Sequence, residues 1–220
     1  MTWGEFSWAD LHPDRRRDRH ARRSRPVMVA GDPVPWMGDG EDVWAYKVSR
    51  ALPSPFDRPS FTFVLPRHPN GRRRALDDYL QPIMDVKKTT HVSLCARLTE
   101  GDNTGLLLDH APPGFPPRIE RLLVIDSPDG QCEPEAVTEA VAGAKLILGS
   151  ADIGVHITLL RLTRGDFDYS GNVRVIFDGL STLFGGSLER PADNRIRDLR
   201  MVRDAHATQS TEVRIWQIDS

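Results

Sequence analysis

The chain has 220 residues, 39% of them hydrophobic and 27% charged, and its 29 Lys and Arg against 31 Asp and Glu leave a formal net charge of −2. This is the balance of an ordinary globular protein, with no apolar run near the roughly 18 residues of a spanning helix, and no basic, apolar and small-residue succession that marks a secretory leader. Cys95 and Cys132 stand at no ligand-like spacing, so they argue for neither zinc nor a disulfide, and the expectation is a cytoplasmic protein without membrane contact.

Residues 1–25 form an arginine-rich extension, with Arg15, Arg16, Arg17, Arg19, Arg22, Arg23 and Arg25 following Trp3, Phe6, Trp8 and Leu11. Such an arm either lies along phosphates or is a solvated segment that pairs with Asp10, Asp14 and Asp18. A first unit, residues 26–111, opens on an apolar strand, Val27 to Ala30. A helix from Val43 to Leu52 follows, with Trp44, Val48, Ala51 and Leu52 on one face and Pro53 as its stop. Next come a strand from Phe61 to Leu65, a helical stripe of Leu80, Ile83 and Met84, and alternating strands from His91 to Leu98 and Thr104 to His110. Residues 112–118, PPGFPPR, are an extended linker.

The second unit, residues 119–220, runs through the same kinds of element in the same order. Leu122 to Ile125 reads as a strand, Ala136 to Leu148 as a helix with Val137, Val141, Ala144 and Leu148 on one face, and Val155 to Leu162 as a strand. A helix begins near Val173, and alternating strands run from Arg195 to Val202 and from Thr211 to Ile218. At an offset of 93 residues, Leu80, Ile83, Met84 and Asp85 fall on Val173, Ile176, Phe177 and Asp178. Recurrence of one element order at one spacing reads as a tandem duplication. The expected class is therefore α+β, with two similar units, each a small mixed sheet with about two helices, packed as an internal pseudo-dimer.

Chemistry concentrates in Arg164 to Leu180, RGDFDYSGNVRVIFDGL, and in Pro191 to Arg203, PADNRIRDLRMVR. Carboxylates at the end of one strand, in the next helix and at the start of a later strand can converge, and oxygen donors of this kind suit Mg²⁺ or Mn²⁺. The other reading is structural. Asp168, Ser170 or Asn172 caps the helix that begins near Val173, and Asp178 is a solvated charge. The seven histidines have no metal-ligand spacing. Arg72, Arg73 and Arg74 follow a Pro-Asn-Gly turn, where they either meet phosphates or simply solvate a loop tip.

The second unit resembles the RusA-like Holliday junction resolvases, whose pattern is Asp-x-Asp-Asn, a helix bearing a lysine and ending Asp-Ala-Leu or Asp-Gly-Leu, then an acidic start to a basic strand. Phe177-Asp178-Gly179-Leu180 matches the helix end, and Asp193-Asn194-Arg195-Ile196 with Arg197 and Arg203 matches the strand. Arg174 stands where the family has its lysine. The Asp-x-Asp-Asn element aligns in two ways: Asp168 with Ser170, or Asp166 and Asp168 with Asn172 after a short insertion. The first unit is similar in Val29-Ala30-Gly31-Asp32-Pro33-Val34-Pro35 and in Ala75-Leu76-Asp77-Asp78-Tyr79, but Gln81 takes the lysine position and no Asp-Asp follows Asp85. The resemblance implies an inactive first half.

It also implies a metal-dependent endodeoxyribonuclease for branched DNA. Asp168, Asp178, Asp193 and Arg174 would be catalytic, Asp166, Asp168 and Asp193 would hold the metal, and Arg195, Arg197, Arg203, Arg72, Arg73 and Arg74 would contact DNA. A single-site chain nicks one strand, or pairs with a second copy to make two cuts. Two other readings stand beside this one: a DNA-binding or assembly protein of the same fold without catalysis, and a duplicated interaction module that meets no nucleic acid.

Overall fold

The computed structural model describes residues 27–30, 41–51, 60–66, 74–87, 94–109, 121–126, 132–144, 151–160, 173–188, 192–204 and 210–218. In chain order these are β1 (Val27–Ala30), α1 (Glu41–Ala51), β2 (Ser60–Leu65), α2 (Leu76–Lys87), β3 (Leu94–Glu100), β4 (Gly105–Asp109), β5 (Arg121–Asp126), α3 (Pro134–Ala144), β6 (Ile153–Leu160), α4 (Val175–Leu180), β7 (Ile196–Asp204) and β8 (Ser210–Gln217). The class is α+β. Periodicity located each element to within a few residues; the parts of the expected elements at 91–93 and 145–148 lie outside the described residues.

Instead of two small sheets, the strands form one eight-stranded sheet in the order β1-β4-β2-β3-β7-β6-β8-β5. The order reads the same from both edges when β5 to β8 stand for β1 to β4. The antiparallel ladders of the two halves agree with it in register. Val27 opposite Leu108 at one edge has its counterpart in Arg121 opposite Ile215 at the other, and Ser60 opposite Asp109 in Gly154 opposite Trp216. Parallel pairing joins β2 to β3 and β6 to β7, and the antiparallel β3–β7 seam is centred on Ala96 opposite Leu199.

Alternation decides which face is buried. Phe61, Phe63, Ala96, Leu106, Val155, Ile157, Leu199, Met201, Val213 and Ile215 share one face and belong to one core cluster with the helices. Against that face α1 turns Trp44 and Val48, α2 turns Leu76, Leu80 and Ile83, α3 turns Val137 and Val141, and α4 turns Ile176 and Phe177. Gly179 permits the close approach of α3 and α4, since a Cβ there would stand 2.5 Å from Val137 Cγ1. After α4 a 3-10 turn, Ser181–Phe184, ends on Gly185 with φ 81, and the Gly186 N–H donates to the Ser181 carbonyl.

The opposite face carries a group of charged residues, with the exposed Leu122 and Val124 at its β5 edge. Arg97 on β3 donates from Nε (3.1 Å) and Nη2 (2.7 Å) to Asp198 Oδ2 on β7, across the seam. Asp198 also meets Arg200 Nε at 3.4 Å, and the Arg200 guanidinium lies 5.0 Å from the ring centre of Trp216. Trp216 in turn covers Gly154, where a side chain would collide with its ring. Burial and the charges of Arg214 and Arg200 push the His156 imidazole down to about 3, which keeps it neutral.

Candidate active site

Topology brings the ends of three elements together. Because β2 and β3 are parallel, α2 begins at the end of the sheet where β2 finishes; because β7 is antiparallel to β3, β7 begins at that same end. The chain reaches β7 from α4 through the short turn Asp193–Arg195. Asp77 and Asp78 in the first turn of α2 therefore come near enough to Asp178 on α4 and Asp193 ahead of β7 for their charges to act on one another.

Carboxylates are at home in a helix's first turn, where they meet unpaired N–H groups and the positive end of the helix dipole. Asp78 uses this position, and the Ala75 backbone N–H donates to its carboxylate. Asp77 does not. It is 4% exposed, and its Oδ1 is buried without a hydrogen-bond partner among the described residues. Burial, then the charges of Asp193, Asp78 and Asp178, raise its carboxyl from 3.8 to about 8, against the opposing influence of Arg174. Asp193 is raised to about 6 by burial, with Asp78 and Asp178 adding to it and its own backbone N–H and Arg174 opposing. Burial also raises Asp178, with Arg174 lowering it and Asp78 adding to the rise. These are the two causes that lift a carboxyl: loss of water, and like charge nearby.

Four carboxylates thus feel one another's charge, and Arg174 Nε lies 4.0 Å from Asp178 Oδ2. A divalent cation relieves both burdens on Asp77, by supplying the missing partner and by neutralising its neighbours; hard oxygen donors are the chemistry it prefers. Among the described residues, no three His, Cys, Asp or Glu are already drawn together closely enough to hold a metal ion.

Of the residues singled out from the sequence, Asp178, Asp193 and Arg174 belong to this cluster. Asp166, Asp168, Arg72 and Arg73 lie outside the described residues, as does the side chain of Arg203. Burial raises the Asp78 carboxyl, and the exposed Arg74 is near enough to oppose that rise. Arg195 is occupied in packing, its guanidinium 4.4 Å from the centre of the Phe184 ring and hydrogen-bonded to the Ala151 carbonyl. Arg197, expected at a DNA surface, is instead buried and meets Glu100 at 3.8 Å. The cause is a bulge: Ile153 pairs with Ile196 and Gly154 with Asp198, so Arg197 is the extra residue in β7.

Asp77 and Asp78 are the members that sequence reasoning left out, since the first half read as inactive. The available signal was an acidic pair opening a helix whose next residues are nearly all apolar. No protein-family model matches the chain, and no curated protein matches it in sequence. No helix among the described residues is long and apolar enough to cross a membrane.

Proposed function

We propose that the chain is a metal-dependent endodeoxyribonuclease of RusA-like type that acts on branched DNA, its two halves doing in one polypeptide what two subunits do in a dimer. The palindromic strand order supports descent from a self-pairing ancestor. The observation that carries the reading is Asp77: a carboxyl sealed from water, one oxygen without a hydrogen-bond partner among the described residues, and the charges of three more carboxylates and one arginine acting on it. Without metal such a group keeps a proton at neutral pH, and a cation can take that proton's place.

In this reading Asp77 and Asp78 from the first half, with Asp178 and Asp193 from the second, hold Mg²⁺ or Mn²⁺, and Asp166 and Asp168 remain candidates beside them. When bound, the cation supplies an activated water and neutralises charge on the phosphate. The carboxylates position it. Arg174, exposed and beside Asp178, steadies negative charge that develops on a phosphoryl oxygen. The site takes residues from both halves, so the first half is a working part of the nuclease and not a spent copy. One such cluster per chain yields one nick, or two cuts from a pair of chains.

The test is cleavage of a labelled four-way junction with and without Mg²⁺ or Mn²⁺, for the parent protein, Asp193→Asn and Asp77→Asn. Metal-dependent cleavage lost in both variants supports the reading; a parent that leaves the junction intact at every metal concentration ends it. The lack of a ready cage among the described residues favours the second reading, a DNA-binding or assembly protein of the same fold. Salt-sensitive binding without cleavage selects that one.

A further inference from the structure

The short turn that carries Asp193 is fastened to both halves. Within the second half, the Ile196 N–H closes the turn by donating to the Asp193 carbonyl, and Arg195 is pinned on the Phe184 ring and the Ala151 carbonyl. Arg197 carries the fastening across to the first half. It is the extra residue between Ile196, which pairs with Ile153, and Asp198, which pairs with Gly154. The β3–β7 ladder stops at Arg97 opposite Asp198, and beyond that point the buried Arg197 meets Glu100 Oε1, at the end of β3, at 3.8 Å. It also reaches α2. Burial raises the Tyr79 hydroxyl, Asp78 adds to the rise, and Arg74 and Arg197 oppose it, so one phenol feels both Arg197 and the acidic first turn of its own helix. The corresponding ladder of the first half, Ser60–Leu65 with Cys95–Glu100, runs without a bulge.

We infer that Arg197 is a positioning residue of the metal site: its bulge and its ion pair with Glu100 set the spacing between Asp193 of the second half and Asp77 and Asp78 of the first. This inference rests on the nuclease reading and adds to it the device that holds carboxylates from two halves at one spacing. The magnitudes show why a device is needed. One residue of strand is about 3.3 Å long, whereas a divalent cation binds its oxygens at about 2.0 to 2.6 Å. The extra residue in β7 therefore moves the chain ahead of it by more than a whole metal–oxygen bond, which is how a bulge re-aims what precedes it. The seam ladder cannot hold that spacing, because it ends at Asp198. The pair Arg197–Glu100 is the next tie towards the cluster. Groups that orient metal ligands without touching the metal change its affinity by about 10 to 100-fold when they are removed.

The experiment is a double-mutant cycle on the full chain, with Glu100→Gln, Arg197→Gln and the two together. Mn²⁺ binding is measured by calorimetry well below the unfolding temperature, beside the Mn²⁺ concentration that gives half-maximal cleavage of a four-way junction. Each single change is expected to weaken Mn²⁺ binding about ten-fold and to raise the Mn²⁺ needed for cleavage in step. The double change should cost little more than either single one, since both remove the same tie. Arg197→Lys, which keeps a charge towards Glu100, should recover part of the loss. A pair with a merely structural role lowers the urea midpoint and leaves Mn²⁺ binding as in the parent; that result, or additive effects of the two changes, overturns the positioning role. Should Arg197→Gln fail to fold, Glu100→Gln, on a side chain 42% exposed, decides by itself, and unchanged Mn²⁺ binding overturns the proposal. A parent that binds Mn²⁺ but never cuts the junction ends the nuclease reading, with the calorimetric cycle still deciding the role of Arg197. A parent that binds no Mn²⁺ ends both.

Discussion

Asp77 makes the metal-free protein sensitive to pH in a direction that can be worked out. Its folded carboxyl is raised from 3.8 to about 8, so between those values the unfolded chain has released a proton that the folded chain keeps. Proton release on unfolding makes stability fall as pH rises, at about 1.4 kcal/mol per pH unit for one group. The penalty is absent near pH 4 and complete above about 8, where it is on the order of 5 kcal/mol. Asp77→Asn keeps the shape and removes the titration. In EDTA the variant and the parent should unfold at nearly the same urea concentration at pH 4, and the variant should become progressively the more stable of the two towards pH 8. Adding Mg²⁺ at pH 8 should close the gap by stabilising the parent alone. Parallel stability curves from pH 4 to 9, or a variant less stable at every pH, would refute the idea that this carboxyl is buried against its own charge.

Three other outcomes follow from the packing. Arg97→Ala removes two donors from Asp198 Oδ2, on a side chain only 5% exposed, and urea titration should show a loss of about 2 kcal/mol; the paired change Arg97→Met/Asp198→Leu should not recover it, because the buried Arg200 then loses the carboxylate of Asp198. Gly179→Ala sets a methyl against Val137 at 2.5 Å, and prying α3 from α4 should cost about 1 to 3 kcal/mol, read as a lower midpoint with unchanged slope. Burial pushes the Cys95 thiol up to about 12 and raises that of Cys132 as well, so neither should react with a thiol reagent at pH 8 until denaturant is added.

The sequence carried the succession of elements well, because each has one apolar face: Trp44 and Val48 on α1, Phe61 and Phe63 on β2, and Val213 and Ile215 on β8 all fall at their helical or strand period. It carried Asp178, Asp193 and Arg174 as well, through short motifs. What it withheld depends on how the halves join. No periodicity says that β3 and β7 are neighbours, so neither the continuous sheet nor the meeting of Asp77 with Asp193 across it was legible. Arg197 is a different kind of omission. A one-residue bulge reverses the side of the sheet on which a side chain emerges, and nothing in the alternating pattern of β7 announces it.

The seam between β3 and β7 also sets a schedule for folding. A chain emerging from the ribosome completes β1 to β4 while the strand that must shield β3 is still about a hundred residues away, and a bare strand edge invites pairing with whatever strand is nearest. Within a polysome that neighbour is the same strand of another nascent chain. Arg97 is suited to guard this interval: until Asp198 arrives, a guanidinium on the waiting strand keeps two such edges apart, and afterwards the same group becomes the clasp.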